Sequence, residues 1–248
     1  MRAIARDVSR MLVIFPFEKP FYERAGVSVS FVGHPLVDLV GTGGAPMEFL
    51  RRHGLDPRRR VLTLAPGSRP RELAHNLPGL LAAARLIKAQ ESDVQVLLAL
   101  APALEKTLLP PTDIPLVLVH GETHEALAAS SLALLASGTI TVEAALFGTP
   151  MLVVYRLSPL TYALGRPFVR VPHYAMVNLI AGREIIPEFI QGGFEPARVA
   201  SEAVGILRSK TRLLKMREDL AEVRRLLGGS GASQRAAAAV SEVVWGET

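Results

Sequence analysis

The 248-residue sequence contains no cysteine, which excludes disulfide bonds and thiolate metal sites. It also lacks any apolar run of the roughly 20 residues that a membrane-spanning helix needs. The most apolar stretch, residues 127–136, is short and is interrupted by Ser130 and Ser131. The start of the chain has no apolar core of the kind found in secretory signals. Together these absences favour a cytoplasmic protein.

Several common catalytic and nucleotide-binding signatures are also missing. The chain has no Walker A sequence, no Gly-x-Gly-x-x-Gly after a predicted strand, no Asp-x-Asp and no Gly-x-Ser-x-Gly. His120 and His124 are four residues apart, but the Glu of a zinc protease motif does not accompany them. We therefore expect no metal ion, no cofactor and no hydrolase nucleophile.

The charge is unevenly distributed along a chain that is apolar enough to build a packed core. Its 248 residues suit one large or two small domains. Hydrophobic residues make up 49% and charged residues 21% of the sequence, which is enough apolar content for a packed core. The net charge is +5, with five arginines in residues 51–60 and four arginines without any acid in residues 156–183. Such stretches suit a phosphorylated substrate, an anionic membrane surface or a nucleic acid. Plain solvated surface is the alternative for residues 51–60.

Strand-like and helix-like segments alternate along the chain, which predicts an α/β fold. We expect a Rossmann-like, mostly parallel sheet with helices on both faces. The predicted strands are residues 11–15, 27–32, 61–65, 94–100, 116–119, 132–136 and a strand from 151. The predicted helices are residues 19–25, 47–53, 72–89, 122–129, one that ends near Gly148, then 160–169, 176–181, 196–208, 213–227 and 234–245.

Two loops lie where ligands bind in such sheets, beyond the carboxyl ends of the strands. Residues 66–69 include Arg69, which can hold a diphosphate through two parallel hydrogen bonds. The turn of residues 137–139 begins a helix and leaves backbone N–H groups where partial positive charge favours an anion. Glu143, one turn into that helix, can accept two hydroxyls. A phosphate site beside such a carboxylate is typical of nucleotide-sugar binding.

An ordinary strand–turn–helix explains the same residues without any ligand. In that interpretation Ser137 or Thr139 caps the helix and Glu143 complements the helix dipole. Arg69 then forms an ion pair with Glu72 on the surface of the helix predicted at residues 72–89. The residues by themselves leave both interpretations open.

Seven short segments, taken in order, resemble one family. They are residues 15–22, 31–36, 66–69 with Glu72, 136–139 with Glu143, 148–151, 154–156 and 178–184. In this order and spacing they resemble lipid-A-disaccharide synthase, an inverting glycosyltransferase of GT-B fold. The resemblance runs from about Met11 to the last predicted helix.

The resemblance implies a reaction, two substrates and a location. UDP-2,3-diacylglucosamine would donate its sugar to 2,3-diacylglucosamine 1-phosphate, giving the lipid A disaccharide and UDP. The enzyme would act at the cytoplasmic face of the inner membrane as a peripheral protein, and it would need no metal. A nucleic acid is not expected as a partner.

The resemblance also implies a domain organisation in which two Rossmann-like domains face each other across a cleft. Residues 1–40 resemble the last piece of the N-terminal acceptor domain with its linker. Residues 41–228 resemble the UDP-sugar-binding domain, and residues 229–248 the terminal helix. The catalytic base is therefore expected outside this chain. We expect a fragment, an incomplete reading frame or one half of a split protein, with a missing N-terminal half or a homodimer as possible partners.

The family pattern implies roles for the residues of the two loops. Ser137, Gly138 and Thr139 would bind the diphosphate through N–H groups and hydroxyls, and Glu143 would bind the ribose hydroxyls. Arg69 would neutralise the charge that builds on the leaving diphosphate, a type of stabilisation that is often the largest catalytic contribution.

Further residues are weaker candidates, and each has a structural alternative. Ser68 would add a hydroxyl contact. Asn178 and Arg183 would contact the donor sugar or uracil, unless Asn178 caps a helix. Tyr155 and Arg156 would line the cleft.

One further candidate is His34, beside the predicted interdomain connection, and four others lie in the basic and aromatic stretch. His34 would contact substrate, or be a structural histidine. Four residues would contact acyl chains or lipid headgroups, or instead pack in the core with their Arg stems along the surface: Tyr162, Arg166, Phe168 and Arg170.

Three other functions are compatible with parts of the sequence. A different GT-B enzyme, such as the muramyl-pathway N-acetylglucosaminyltransferase or a UDP-sugar epimerase, shares the small polar turn and the Glu, but residues 15–18 and 33–36 argue against it. A non-catalytic nucleotide-binding module would bind UDP without turnover. A nucleic-acid-binding domain rests on charge alone and predicts strongly salt-dependent binding.

Overall fold

A computed structural model describes residues 1–40, 45–157 and 172–246. The described part is built around a six-stranded parallel sheet with the strand order β5-β4-β3-β6-β7-β8. Its strands are β3 (Val61–Ala65), β4 (Gln95–Leu100), β5 (Leu116–His120), β6 (Leu132–Ala136), β7 (Met151–Tyr155) and β8 (Glu188–Ile190). The predicted helix at residues 160–169, with its candidates Tyr162, Arg166, Phe168 and Arg170, lies outside the described residues.

Helices connect and cover these strands. They are α1 (Arg2–Asp7), α2 (Glu18–Glu23), α3 (Leu36–Leu39), α4 (Pro46–Arg52), α5 (Pro70–Gln90), α6 (Thr123–Ala128), α7 (Ile140–Leu146), α8 (Met176–Ala181), α9 (Pro196–Arg208), α10 (Lys210–Leu226) and α11 (Ala232–Trp245). None of the helices in the described ranges is both long and apolar enough to pass through a bilayer.

The central strands bury side chains on both faces of the sheet. Val61 and Leu97 pack with Phe49 of α4 in one hydrophobic cluster. Leu62 and Leu98, their neighbours along the same strands, belong to a second cluster together with apolar residues of α5. Because successive side chains of a strand point to opposite faces, helices must cover both faces. The predicted α/β fold with a parallel sheet is confirmed.

The first forty residues and the last helix contact each other. β1 (Met11–Val13) and β2 (Val29–Phe31) form a separate two-stranded parallel sheet. Arg10 pairs with Glu242 of α11 at 2.6 Å, and the Gly231 N–H donates to the Asp38 carboxylate at 2.8 Å. Arg235 of α11 donates to the carbonyl of Val32 at 2.8 Å. The division into 1–40, 41–228 and 229–248 stays a prediction, and these contacts join its first and third parts.

The strand order determines where a ligand can approach. β3 lies between β4 and β6, so the chain leaves β3 toward one side of the sheet and later returns to its other side. In open parallel sheets a crevice forms at this switch point, beyond the carboxyl ends of the strands. The loops after β3 and β6, which contain the two predicted ligand loops, both emerge there.

Candidate functional site

A cavity of about 640 Å³ opens at this edge of the sheet. Its walls come from the loops after β3, β4, β5 and β6 and from the first turns of α6 and α7. The glycines and polar residues of the lining are Gly67, Ser68, Arg69, Glu72, Gly121, Thr123, His124, Glu125, Ser137, Gly138, Thr139 and Glu143. The structure thus brings six of the ten predicted site residues to one cavity.

The loop after β3 forms the first wall. Gly67 has φ +121°, and a Cβ atom there would lie 2.6 Å from both Cβ and Oε2 of Glu72. The Glu72 carboxylate accepts the Ser68 N–H at 3.0 Å. Asn76 is fully buried and donates to the carbonyl of Pro66 at 3.1 Å. The loop is therefore held by two side chains of α5, and only glycine fits at its bend.

Arg69 lies at the exposed rim of this wall. Its Nη1 is 2.6 Å from Oε1 of Glu72, and 77% of its side chain is exposed. The ion pair that the alternative interpretation predicted is thus present. An exposed pair of this kind contributes little to stability, and the other guanidinium N–H groups face solvent, so a role toward an anion stays a prediction.

The turn after β6 forms the second wall. The Ser137 N–H donates to the Val154 carbonyl at 3.1 Å, and the Ser137 hydroxyl donates to the Tyr174 carbonyl at 2.8 Å. Both Ser137 donors are therefore engaged within the protein, and their predicted role toward a diphosphate stays a prediction. Within the described part of the chain, the N–H groups of Gly138, Thr139 and Ile140 have no hydrogen-bond partner. That these three groups bind an anion stays a prediction.

Helix α6 supplies a third wall that the sequence did not indicate. His124 Nε2 lies 3.1 Å from Oε2 of Glu143 on α7, and its ring packs against Phe147 with the centroids 5.7 Å apart. The sequence-based reasoning considered His124 only as a zinc ligand. Its position in the sequence could have predicted its place at the cavity. His124 lies on the first turn of the helix after β5, and the carboxyl ends of parallel strands lie at one edge of the sheet.

Tyr155 and Arg156 lie beside the cavity rather than in its lining. Burial raises the pKa of the Tyr155 phenol, and the nearby Glu72 carboxylate adds to that rise while Arg69 opposes it. The Arg156 guanidinium donates to the Phe194 carbonyl at 2.5 Å and lies 4.9 Å from the centre of the Phe194 ring. Tyr155 therefore stays a candidate, whereas the Arg156 side chain has a structural role.

The Asn178 side chain is bonded within the protein and does not line the cavity, and its predicted contact with sugar or uracil stays a prediction. Its side chain is fully buried. Its Nδ2 donates to the Ile186 carbonyl at 2.9 Å and to Glu188 at 2.7 Å. Its Oδ1 accepts the N–H groups of Ile185 and Ile186 at 2.8 and 3.1 Å. All of its hydrogen-bonding capacity is used in holding the segment that leads into β8.

Arg183 does not line the cavity either, and its predicted contact with sugar or uracil stays a prediction. It follows α8 and precedes β8, so it lies toward the amino ends of the strands, away from the cavity. Its guanidinium pairs with Asp219 at 2.6 Å and with Glu222 at 3.3 Å, both on α10. These contacts tie α8 to α10.

His34 fits its structural interpretation. It is 5% exposed, its Nδ1 accepts the Leu36 N–H at 3.2 Å, and its ring packs against Phe15. Burial lowers the pKa of the imidazole, and Glu18 only partly opposes this.

Two observations concern groups that the predictions did not name. Gln191, just beyond β8, has φ +52°, and within the described residues its buried Nε2 has no hydrogen-bond partner. No group of three or more His, Cys, Asp or Glu side chains within the described ranges is close enough together to hold a metal ion.

The switch-point cavity and the parallel sheet define a Rossmann-like nucleotide-binding domain of the GT-B class. Two solved structures share this fold at low sequence identity. The calicheamicin glycosyltransferase CalG4 is 20% identical with a TM-score of 0.58, over 95% of this chain and 54% of that one. MnaA of S. aureus, solved with UDP, is 14% identical with a TM-score of 0.66, over 99% of this chain and 64% of that one.

The chain belongs to the lipid-A-disaccharide synthase family. The family model described as lipid-A-disaccharide synthetase matches residues 1–243. A lipid-A-disaccharide synthase of Syntrophus aciditrophicus is 43% identical over 242 residues, which are 96% of this chain and 63% of the relative. One of Geobacter metallireducens is 40% identical over 248 residues, which are 98% of this chain and 65% of the relative. The chain thus spans slightly less than two thirds of these relatives.

Proposed function

We propose that the chain is the donor-binding part of a glycosyltransferase of lipid A biosynthesis. The whole enzyme would transfer 2,3-diacylglucosamine from UDP-2,3-diacylglucosamine to 2,3-diacylglucosamine 1-phosphate. The observation that carries the proposal is one cavity lined by Arg69, by Glu143 and by the start of α7, whose first N–H groups have no partner among the described residues. The family match supplies the substrate class.

Each wall of the cavity has a part in binding the UDP group. The N–H groups of Gly138, Thr139 and Ile140 point from a helix start, where the backbone partial charge favours a diphosphate. Glu143 has two carboxylate oxygens, and one of them is enough for His124. The remaining lone pairs accept the two ribose hydroxyls. Ser68 and Arg69 line the same cavity and would bind the diphosphate there.

The reaction is a direct displacement at the anomeric carbon. An acceptor hydroxyl oxygen bonds to that carbon while the bond from the carbon to the diphosphate oxygen breaks, and a base takes the hydroxyl proton. The negative charge passes to UDP, where Arg69 and the three N–H groups neutralise it. We place the base outside this chain, in the roughly one third of its relatives' length that this chain does not match. Because both proposed substrates carry acyl chains, the enzyme would act at a membrane surface, and we propose the cytoplasmic face of the inner membrane.

Calorimetry with UDP tests the binding site. We expect Glu143→Ala to weaken UDP binding about tenfold or more, because a charged acceptor of two hydroxyls is lost. Glu125→Ala is the matched control, since it removes a carboxylate from the same cavity lining. Equal UDP affinity of the wild type and Glu143→Ala would contradict the ribose role.

A turnover assay tests the base assignment and separates the enzyme from a non-catalytic UDP-binding module. The purified chain should not form the disaccharide alone, and it should do so when the remaining third of a relative is fused to it or added. Turnover of both lipid substrates by the chain alone would show that the base is within it. UDP binding without turnover in any combination would favour the binding module.

A further inference from the structure

Among the described residues, the carboxylate of Glu143 has one polar neighbour. His124 Nε2 lies 3.1 Å from Glu143 Oε2, and in the part of the chain that the structure describes it is the only polar partner of that carboxylate. The Glu143 side chain is 19% exposed and the His124 side chain 42% exposed, and both line the cavity. The contact therefore forms at the surface where a ligand would bind.

A glutamate that must accept two hydroxyls at once needs a defined rotamer. A long side chain at a cavity surface samples several rotamers, and ordering it on ligand binding costs conformational entropy. A hydrogen bond from His124 to one oxygen selects a rotamer beforehand. It leaves the other oxygen and the second lone pair of the bonded oxygen for the ligand.

The imidazole is itself fixed by its surroundings. Its ring packs on Phe147, at the end of α7, with an interplanar angle of 53°. The start of α6 is tied to α4 by the ion pair between Glu122 and Arg52, which does not involve His53. His124 thus lies on a helix whose first turn is held to a neighbouring helix.

We propose that His124 is a positioning residue that holds the Glu143 carboxylate in the orientation that accepts both hydroxyls of a ligand cis-diol. The residue would act through Glu143 and set the preference for a ribonucleoside diphosphate over its deoxy analogues. The inference rests on the proposed function, because it needs the ribose to lie at Glu143.

The chain contains a matched control pair outside the cavity lining. His53 Nε2 lies 3.2 Å from Glu122 Oε2, and the His53 ring packs on Phe49 with the centroids 4.7 Å apart. The pair has the same chemistry and nearly the same length as the His124–Glu143 pair. Removing it measures the general effect of losing such a contact next to α6.

The experiment compares UDP with 2′-deoxy-UDP and 3′-deoxy-UDP by calorimetry. The proteins are the wild type, Glu143→Ala, His124→Met, His124→Gln and His53→Ala. We expect the wild type to prefer UDP over each deoxy analogue about tenfold or more, because a missing hydroxyl leaves a charged acceptor unpaired. Glu143→Ala should bind all three alike.

His124→Met should lose most of the preference while its affinity for 2′-deoxy-UDP stays within about twofold, because the diphosphate contacts are unchanged. His124→Gln, whose amide nitrogen can donate to the carboxylate, should recover part of the preference. His53→Ala should retain the wild-type preference. Circular dichroism and a denaturation curve establish that each variant is folded, and His124→Gln provides the comparison if His124→Met is not.

Two failures are distinguishable. If the wild type prefers UDP, Glu143→Ala does not, and both His124 variants keep the full preference, the positioning role is wrong and the proposed ribose site stands. If His124→Met does not fold and His124→Gln keeps the full preference, His124→Asn, whose amide is shorter, decides between the two outcomes. Loss of the preference in His124→Asn supports the positioning role. Retention of the preference in His124→Asn overturns it. If the wild type itself binds the three nucleotides equally, the ribose site is wrong, and the positioning role falls with it.

Discussion

Gly67→Ala tests whether the loop after β3 is built around one glycine. The new methyl group would lie 2.6 Å from both Cβ and Oε2 of Glu72. Carbon atoms in contact are about 3.5–4.0 Å apart, so either the loop or the start of α5 must move by about 1 Å. Glu72 would then lose its bonds to the Ser68 N–H and to Arg69.

The expected loss of stability has three parts. Alanine at φ +121° costs on the order of 1–3 kcal/mol of backbone strain. The bond from the Ser68 N–H to the carboxylate contributes about 1 kcal/mol, because the N–H is exposed enough to be solvated once it is released. The exposed ion pair with Arg69 contributes less than about 1 kcal/mol. We expect Gly67→Ala to lower the free energy of unfolding by about 3 kcal/mol.

Gly54→Ala is the control, because Gly54 also has a positive φ, +69°, but nothing lies within 4 Å of a Cβ placed there. It should cost about 1 kcal/mol, from backbone strain alone. Urea denaturation of both variants gives the two free energies, and calorimetry with UDP reports on the cavity. A Gly67→Ala protein as stable as Gly54→Ala, with unchanged UDP affinity, would refute the steric argument.

Three further predictions concern the hydrogen bonds, helix packing and ion pairs of the fold. Asn76→Ala should lower the free energy of unfolding by about 2–4 kcal/mol in urea, because it leaves a buried carbonyl and the N–H that follows β7 without partners. Gly79→Ala should destabilise by about 1–3 kcal/mol, since its Cβ would lie 2.7 Å from the Phe194 ring. Gly205→Ala, also in a helix but facing only a flexible arginine end at 3.2 Å, should instead stabilise by up to about 1 kcal/mol. Although burial opposes ionisation, bonds from two basic side chains hold the pKa of Asp219 below its ordinary value. The ion pairs of Asp219 should therefore stabilise the fold above the ordinary carboxyl pKa and be lost as the pH falls through the lowered value, so Asp219→Asn should flatten the acid limb of a stability–pH curve.

The longer and more apolar elements were predictable from sequence. β3 and β6 appear at their predicted residues, because each is a run of five mostly apolar residues between turns. α8 and α9 also match their predicted ranges. β8 was missed because three residues show no period, and its strand conformation depends on pairing with β7. α1 and α3 were missed, and both are short and bury no residue fully.

The loops that line the candidate cavity were predictable from sequence, but the contacts between its side chains were not. Arg69 and Glu143 were located because each follows a buried strand at a recognisable turn. The bonds of Asn178 to the backbone were not predictable, because the same residue type can bind a ligand or the backbone, and only packing decides which. The contact between His124 and Glu143 joins residues 19 apart and depends on how α6 packs beside α7.

The bonds within the protein account for which groups at the rim stay free. Asn76 joins the loop after β3 to the N–H of Arg156, just beyond β7. Glu188 of β8 accepts the Tyr174 N–H, and the Tyr174 carbonyl accepts the Ser137 hydroxyl. Three loops are therefore connected by side-chain bonds before any ligand arrives. In the described part of the rim, the N–H groups that these bonds leave over lie at the start of α7, within reach of the same cavity as Arg69 and Glu143. A site whose frame is already ordered binds a diphosphate without the entropic cost of assembling it, and this is why disrupting Asn76 should weaken UDP binding although Asn76 itself is fully buried.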